Sequence, residues 1–243
     1  MVIHGLSKTT LLDYPGHLAC TVFTGLCNLR CPFCQNGELV LCPDTEPAVS
    51  EEEFFNFLES RKKRLEGVAI TGGEPTISAD LPDFIKKIKD MGFLVKLDSN
   101  GLKPDVLKYL CDHSLVDYFA MDIKSSKERY SEACGIQNVN MSAIEESVKL
   151  LMNSGIEYEF RTTVSRELHG EAEFRSIAEW IKGCSNYYLQ SFRPADTLLV
   201  NMMDDSFKSA FPNTFSSYTN EELREFCDLL ISLGVNAHLR GIA

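Results

Sequence analysis

No run of about 18 consecutive apolar residues occurs in this chain, so its sequence offers no membrane-spanning helix. Nor does it begin with a basic segment followed by an apolar core, so no secretory signal is expected and the cytoplasm is the expected compartment. Basic residues are outnumbered: 24 Lys and Arg stand against 35 Asp and Glu, a formal net charge of −11. A surface that tracks phosphates would be basic, so no nucleic-acid partner is expected. Internal repeats, low-complexity tracts and linker-like stretches are also missing. One domain over residues 1–243 is therefore expected, a length that α/β barrels often reach undivided.

Cysteine is not scarce, but ordered pairs of it are. There are nine cysteines, an odd number, and only Cys27, Cys31 and Cys34 cluster, in the stretch Cys27-Asn28-Leu29-Arg30-Cys31-Pro32-Phe33-Cys34. The scattered Cys20, Cys42, Cys111, Cys134, Cys184 and Cys227 read as small buried or surface thiols. In a cytosolic chain the C-x3-C-x2-C spacing points to metal rather than to disulfides. A structural zinc needs four ligands, usually with a second C-x2-C or His pair, and none is present. Three thiolates instead leave one iron of a [4Fe–4S] cubane without a protein ligand, free to bind a small molecule. Phe33, just before the third cysteine, would shield the cluster edge from water.

The rest of the chain alternates β-like runs with helical patterns. Strands are predicted at Leu18–Phe23, Gly67–Thr71, Phe93–Leu97, Val116–Met121, Tyr158–Val164 and Tyr187–Phe192, with a short terminal run at Val235–Leu239. Helices are predicted from Ser50, which with Glu53 makes a capping box, and over Asp80–Met91, Pro104–Cys111, Ser142–Asn153 and Glu171–Ile181. A last helix opens at a second box, Thr219 with Glu222, and stops at Gly234. Such alternation implies right-handed βαβ crossovers and a parallel sheet. About six units are too few for an eight-unit barrel. The fold class expected is α/β, an open partial (β/α)6 barrel with a curved parallel sheet, and a doubly wound sheet is the alternative. In either case ligands belong at the C-terminal ends of the strands.

Polar motifs fall at those ends. The cysteines follow the first predicted strand. Thr71-Gly72-Gly73-Glu74-Pro75 follows the second, where two glycines allow close backbone approach and a carbonyl with a carboxylate suits an ammonium group. Leu97-Asp98-Ser99-Asn100-Gly101 closes the third and Ala120-Met121-Asp122-Ile123-Lys124 the fourth. Arg161 lies within the fifth, where a charged side chain is costly unless it serves the lumen, and Gln190 and Arg193 belong to the sixth.

Together the cysteine and GGE motifs resemble those of the radical S-adenosylmethionine superfamily. The resemblance implies that Cys27, Cys31 and Cys34 hold one [4Fe–4S] cluster, within a loop of about residues 24–37, whose fourth iron chelates the amino and carboxylate groups of S-adenosylmethionine. It implies adenine contacts near Phe33 and Gln35, with Asn36 beside them, and a hold on the methionine amino group at Gly72, Gly73 and Glu74. The D-S-N-G and D-I-K segments are similar to D-T-N-G and D-x-K of glycyl-radical-enzyme activases. By that likeness Asp98 and Asp122 lie near the sulfonium and carboxylate end, around a monovalent cation, Lys124 pairs with the methionine carboxylate, and Asn100 is a further cofactor contact. Lys124, Asp122 and Arg161 are the catalytic candidates, and Gln190 is added to the cofactor contacts.

Asp13-Tyr14-Pro15-Gly16 extends the likeness to activating proteins of anaerobic ribonucleoside-triphosphate reductase. It weakens after about residue 194. The implied partners are a glycyl radical enzyme and a flavodoxin- or ferredoxin-type electron donor. The implied activity is reductive cleavage of S-adenosylmethionine to a 5′-deoxyadenosyl radical, which takes hydrogen from a glycine Cα. A radical enzyme acting on a small molecule or peptide, and a non-catalytic iron–sulfur protein, are the competing readings. Two departures stand out: Leu26 occupies a position where the activases usually have Gly, and Gln35 one where His is common. No second cysteine-rich block lies between Asn36 and Gly67, so a single cluster is predicted.

Overall fold

The computed structural model describes every residue except 46, 47, 196, 213 and 243. Among the described residues eight strands form one sheet in chain order: β1 Gly5–Thr10, β2 Ala19–Thr24, β3 Gly67–Gly72, β4 Leu94–Ser99, β5 Tyr118–Asp122, β6 Glu157–Val164, β7 Tyr187–Ser191 and β8 Ala237–Arg240. β1 pairs antiparallel with β2, and every later neighbour is parallel. Because the strand order never reverses, the sheet winds in one direction, which excludes the doubly wound alternative. Among the described residues no pairing joins β1 to β8, so the barrel is open. β2–β7 are the six predicted strands and β8 the short terminal run. β1 was not foreseen. Its sequence GLSKTT is polar and mostly half-exposed, because the strand pairs along one edge only.

Helices Glu51–Arg61, Leu81–Asp90, Pro104–Asp112, Met141–Asn153, Glu171–Ile181 and Asn220–Ser232 return the chain between strands. Thr219 and Glu222 form both arms of their capping box. At Ser50 the serine arm is made, its Oγ accepting from the Glu53 N–H at 3.1 Å. Leu81, Phe84, Ile85 and Ile88 are buried along one face of their helix, as the 3.6-residue period requires.

The apolar core lies mainly between the helices and the outer face of the sheet, which leaves the lumen to polar side chains. On β4 the period of two separates Val95 and Leu97 from Lys96 and Asp98. The N-terminal end of the barrel is closed by Tyr14, only 2% exposed, packed with Ala19, Tyr118 and Ala120. Gly67 makes room for that ring, since a Cβ there would meet it at 2.9 Å. The lumen therefore opens at the other end, where the C-terminal ends of the strands line a cavity.

Candidate active site

β2 runs out at Thr24 into the cysteine loop, which neighbouring segments fix by backbone bonds. Leu26 N–H donates to the Leu39 carbonyl (2.8 Å), Arg30 N–H to the Cys134 carbonyl (2.9 Å) and Leu199 N–H to the Cys34 carbonyl (2.9 Å). The Arg30 guanidinium donates to the carbonyls of Cys27 (2.6 Å) and Leu29 (2.7 Å), curling the loop around it. Burial pushes the Cys27 thiol up to about 12 and the Cys34 thiol up to about 11. Cys31 differs, because the neighbouring Cys134 thiol holds it below the ordinary value, while Cys134 is itself pushed up by burial. The Cys27 and Cys34 thiols stay protonated near neutral pH on their own, and coordination to a metal would remove their protons. Among the described residues no three His, Cys, Asp or Glu side chains converge on a point that could hold a single metal ion. Cys27, Cys31 and Cys34 nevertheless line one cavity, an arrangement suited to a ligand that takes each sulfur at a different corner.

The end of β3 is pressed against that loop. Gly73 N–H donates to Thr24 O (2.8 Å) and Glu74 N–H to Leu26 O (2.9 Å). A Cβ on Gly73 would stand 1.7 Å from Leu26 O, and one on Gly72, at φ +114°, 2.4 Å from Thr24 O. The two glycines thus admit the cysteine loop's own backbone. Leu26 lies at φ +61°, the left-handed region that favours glycine, which gives the Gly-to-Leu departure a physical meaning.

Glu74 is 1% exposed, and its carboxylate accepts from Thr76 N–H (3.1 Å), Thr76 Oγ1 (2.5 Å), Ser99 Oγ (3.0 Å) and Asn100 N–H (2.6 Å). Burial raises its pKa and these bonds oppose the rise. Glu74 therefore braces the ends of β3 and β4 against each other, a duty its motif does not reveal.

The lumen between β4 and β6 holds an alternating ladder of charge. Lys96 Nζ pairs with Asp98 Oδ1, and Arg161 Nη1 lies 3.1 Å from Asp98 Oδ2. Arg161 Nε and Nη2 each lie 2.9 Å from Asp122 Oδ1, and Lys124 Nζ lies 2.9 Å from Asp122 Oδ2. Burial would raise both carboxylates, but Arg161, helped by Lys96 at Asp98 and by Lys124 at Asp122, holds them below the usual range. Burial would lower Lys124, yet Asp122 carries it well above the ordinary lysine value. Three cations face two carboxylates, and the excess positive charge invites an anion. Every carboxylate oxygen already meets a side-chain cation, so the donors do not fit the monovalent cation expected beside Asp98 and Asp122.

The fifteen candidate cluster, cofactor and catalytic residues line the same cavity of ≈ 260 Å³, and Arg193 does not. Phe33 is buried against Phe192 and Phe215, with ring centroids 6.5 Å and 6.0 Å away. Gln35 Nε2 donates to Arg193 O (2.6 Å), and Asn36 Nδ2 to Gly72 O (3.0 Å). Asn100 Nδ2 donates to Asn28 Oδ1 (2.7 Å). Gln190 lines the wall beside Thr163. The segment 194–218 folds over the cysteine loop: besides the Leu199 bond, Val200 N–H donates to Pro32 O (3.1 Å), and Phe215 is 4% exposed. Residues 196 and 213 of that segment lie outside the described residues.

Three contributors were not read from sequence. Lys96 sat unremarked in an apolar run, although its i, i+2 relation to Asp98 puts both on one face of a strand. Cys134 and His169 carry no local signal, because their partners are far away in the chain. The His169 ring accepts at Nδ1 from Ser165 N–H (3.1 Å) and donates from Nε2 to Lys124 O (2.9 Å).

The radical SAM superfamily model matches residues 21–181. A candidate glycyl-radical enzyme activating enzyme of Methanocaldococcus jannaschii is 29% identical over 211 residues, covering 85% of this chain and 84% of that protein. The GTP 3′,8-cyclase of Helicobacter pylori is 27% identical over 172 residues, covering 65% of this chain and 50% of that protein. In fold, the crystal structure of Streptococcus suis SuiB bound to S-adenosylmethionine is similar, with a TM-score of 0.67 at 13% identity over 90% of this chain. The present chain spans about half of that structure's length, 49%.

Proposed function

The chain belongs to the radical SAM superfamily, and from that premise we propose that it installs a glycyl radical on a partner enzyme of the anaerobic ribonucleotide reductase kind. The family works with a [4Fe–4S] cluster and S-adenosylmethionine. When bound, the cluster, charged with one electron by an external protein donor, would pass that electron to the sulfonium of S-adenosylmethionine, whose S–C5′ bond would break to give methionine and a 5′-deoxyadenosyl radical. The donor set fits them: three cysteines, a GGE segment and an excess of buried positive charge line one cavity.

The residues then divide the work. Cys27, Cys31 and Cys34 hold the cluster. The backbone of Gly72 and Gly73, with Glu74, receives the methionine ammonium. Lys124, held against Asp122, meets the methionine carboxylate as a compact cation, and Arg161 keeps Asp98 and Asp122 charged and in position. Phe33 and Gln35, with Asn36, Asn100 and Gln190, take the adenosine side. Segment 194–218 and Phe33 keep water from the cluster edge. The chain acts as one domain in the cytoplasm, with a flavodoxin- or ferredoxin-type protein as electron donor.

The observation that carries the choice of target is the likeness to the candidate activating enzyme, which runs most of the length of both proteins. A barrel left open between β1 and β8 leaves a side by which a glycine-bearing loop can reach the lumen. Likeness to a GTP cyclase favours the second reading, a small-molecule substrate. The test is electron paramagnetic resonance of the partner after anaerobic incubation with the reduced protein and S-adenosylmethionine. A doublet that disappears when the partner's glycine is replaced by alanine is expected. Turnover of S-adenosylmethionine with no radical on the partner would turn the assignment to a small molecule.

A further inference from the structure

The ladder contains one cation more than its carboxylates need, and the surplus has a specific source. Asp98 and Asp122 offer four oxygens. Arg161 takes one from each, at 3.1 Å and 2.9 Å, and Lys124 takes Asp122 Oδ2 at 2.9 Å. The remaining oxygen, Asp98 Oδ1, belongs to Lys96. Lys96 is 2% exposed and stands two residues before Asp98 on β4, so the strand's own period aims both side chains into the lumen. Its neighbours in register are Ala69 on β3 and Tyr118 on β5. Ala69 leaves room for the long lysine stem, and the Tyr118 hydroxyl is committed to Glu159 at 2.8 Å. Glu159 is in turn matched by Arg240, so it exerts no unanswered pull on Lys96.

We infer that Lys96 is a built-in counter-cation: its ammonium does at Asp98 what a bound sodium or potassium ion would do, and the site is indifferent to monovalent cations. A free cation added to a ladder that already carries three positive charges against two would meet repulsion in a poorly solvated lumen and find no uncommitted carboxylate oxygen. Lys96 is thus a positioning residue. It fixes Asp98, which orients Arg161, which orients Asp122 and, through it, Lys124. The inference rests on the S-adenosylmethionine site proposed above, but half of its test does not depend on that site.

Two substitutions separate the charge from the space. Lys96→Ala removes the ammonium and opens room beside Asp98 for an ion, whereas Lys96→Met removes the charge and fills the room. Cluster-loaded proteins are compared in potassium, sodium and choline chloride at about 0.1 M, where general screening is the same. Binding of S-adenosylmethionine is followed by calorimetry, and the thermal midpoint is measured without it. Wild-type protein is expected to show the same affinity and midpoint in all three salts. K96A should bind roughly tenfold more weakly in choline, the loss of one charge-assisted partner, and recover in potassium or sodium. Its midpoint should rise with those ions as well. K96M should be weakened in every salt.

A wild-type midpoint or affinity that needs potassium or sodium overturns the inference, as does K96A responding no more than K96M. If wild-type protein binds no S-adenosylmethionine in any salt, the site assignment fails. The midpoints then decide the cation question by themselves.

Discussion

His169 Nε2 donates a hydrogen bond to the carbonyl oxygen of Lys124 across 2.9 Å, tying the loop after β6 to the residue proposed to meet the methionine carboxylate. With a carbonyl at Nε2 and the Ser165 N–H at Nδ1, the contacts match a neutral ring that carries its proton on Nε2. His169 is 1% exposed, and burial holds its pKa below the ordinary value.

A neutral buried histidine makes stability depend on pH in one direction. The unfolded chain takes up a proton below about pH 6.5 while the folded one resists. The contribution is therefore complete above about 6.5 and lost as pH falls toward the depressed folded value, with a slope of at most about 1.4 kcal/mol per pH unit. Anaerobic urea titrations between pH 7.5 and 5.5 read this slope. His169→Gln, which keeps a donor for Lys124 O, should flatten it. His169→Ala should also weaken S-adenosylmethionine binding while the cluster spectrum stays intact.

Arg161→Leu leaves Asp98 and Asp122 buried without their shared guanidinium. Breaking such a pair costs about 3–5 kcal/mol, read as a lower urea midpoint. Both carboxylates are held below their usual range, so the wild-type contribution is complete above about pH 4 and lost as pH falls below it. In Arg161→Leu that acid loss shrinks, because the variant has less of the stabilisation to lose. Equal acid sensitivity in both proteins would mean that the ladder does not carry it.

Leu26 and Gly73 make opposite predictions within one contact. Leu26→Gly relieves a left-handed backbone at an exposed side chain, so stability should stay level or rise by up to about 1 kcal/mol. Gly73→Ala drives a Cβ into Leu26 O and should cost about 3 kcal/mol or more. It should also lower the iron retained per chain, since the cysteine loop is what must move.

Most of the strand ends were legible because each closes on a polar or glycine-rich motif that interrupts an apolar run. Boundaries shifted by a residue or two where the alternation continues past the last apolar position, as at Asp98–Ser99 on β4. β1 escaped because a polar edge strand has no periodic signal of its own. At the site, residue types and spacing pointed to the cysteines, the glycines and Asp122-Ile123-Lys124, since each group is contiguous in the chain. The brace made by Glu74, the hold of His169 on Lys124 and the contact of Cys134 with Cys31 join residues 25 to 103 positions apart, and only the fold brings them together. Lys96 was the exception: a lysine inside an apolar strand, two residues before an aspartate, was a readable sign of a polar lumen.

The most direct test is chemical. After anaerobic reconstitution with iron and sulfide, reduction by dithionite in the presence of S-adenosylmethionine should release 5′-deoxyadenosine and methionine in equal amounts. Cys27→Ala, Cys31→Ala and Cys34→Ala should each retain less iron and release neither product. If Cys31→Ala matches the wild-type protein in iron content and in 5′-deoxyadenosine, the three cysteines do not form the site, and the account is wrong at its centre.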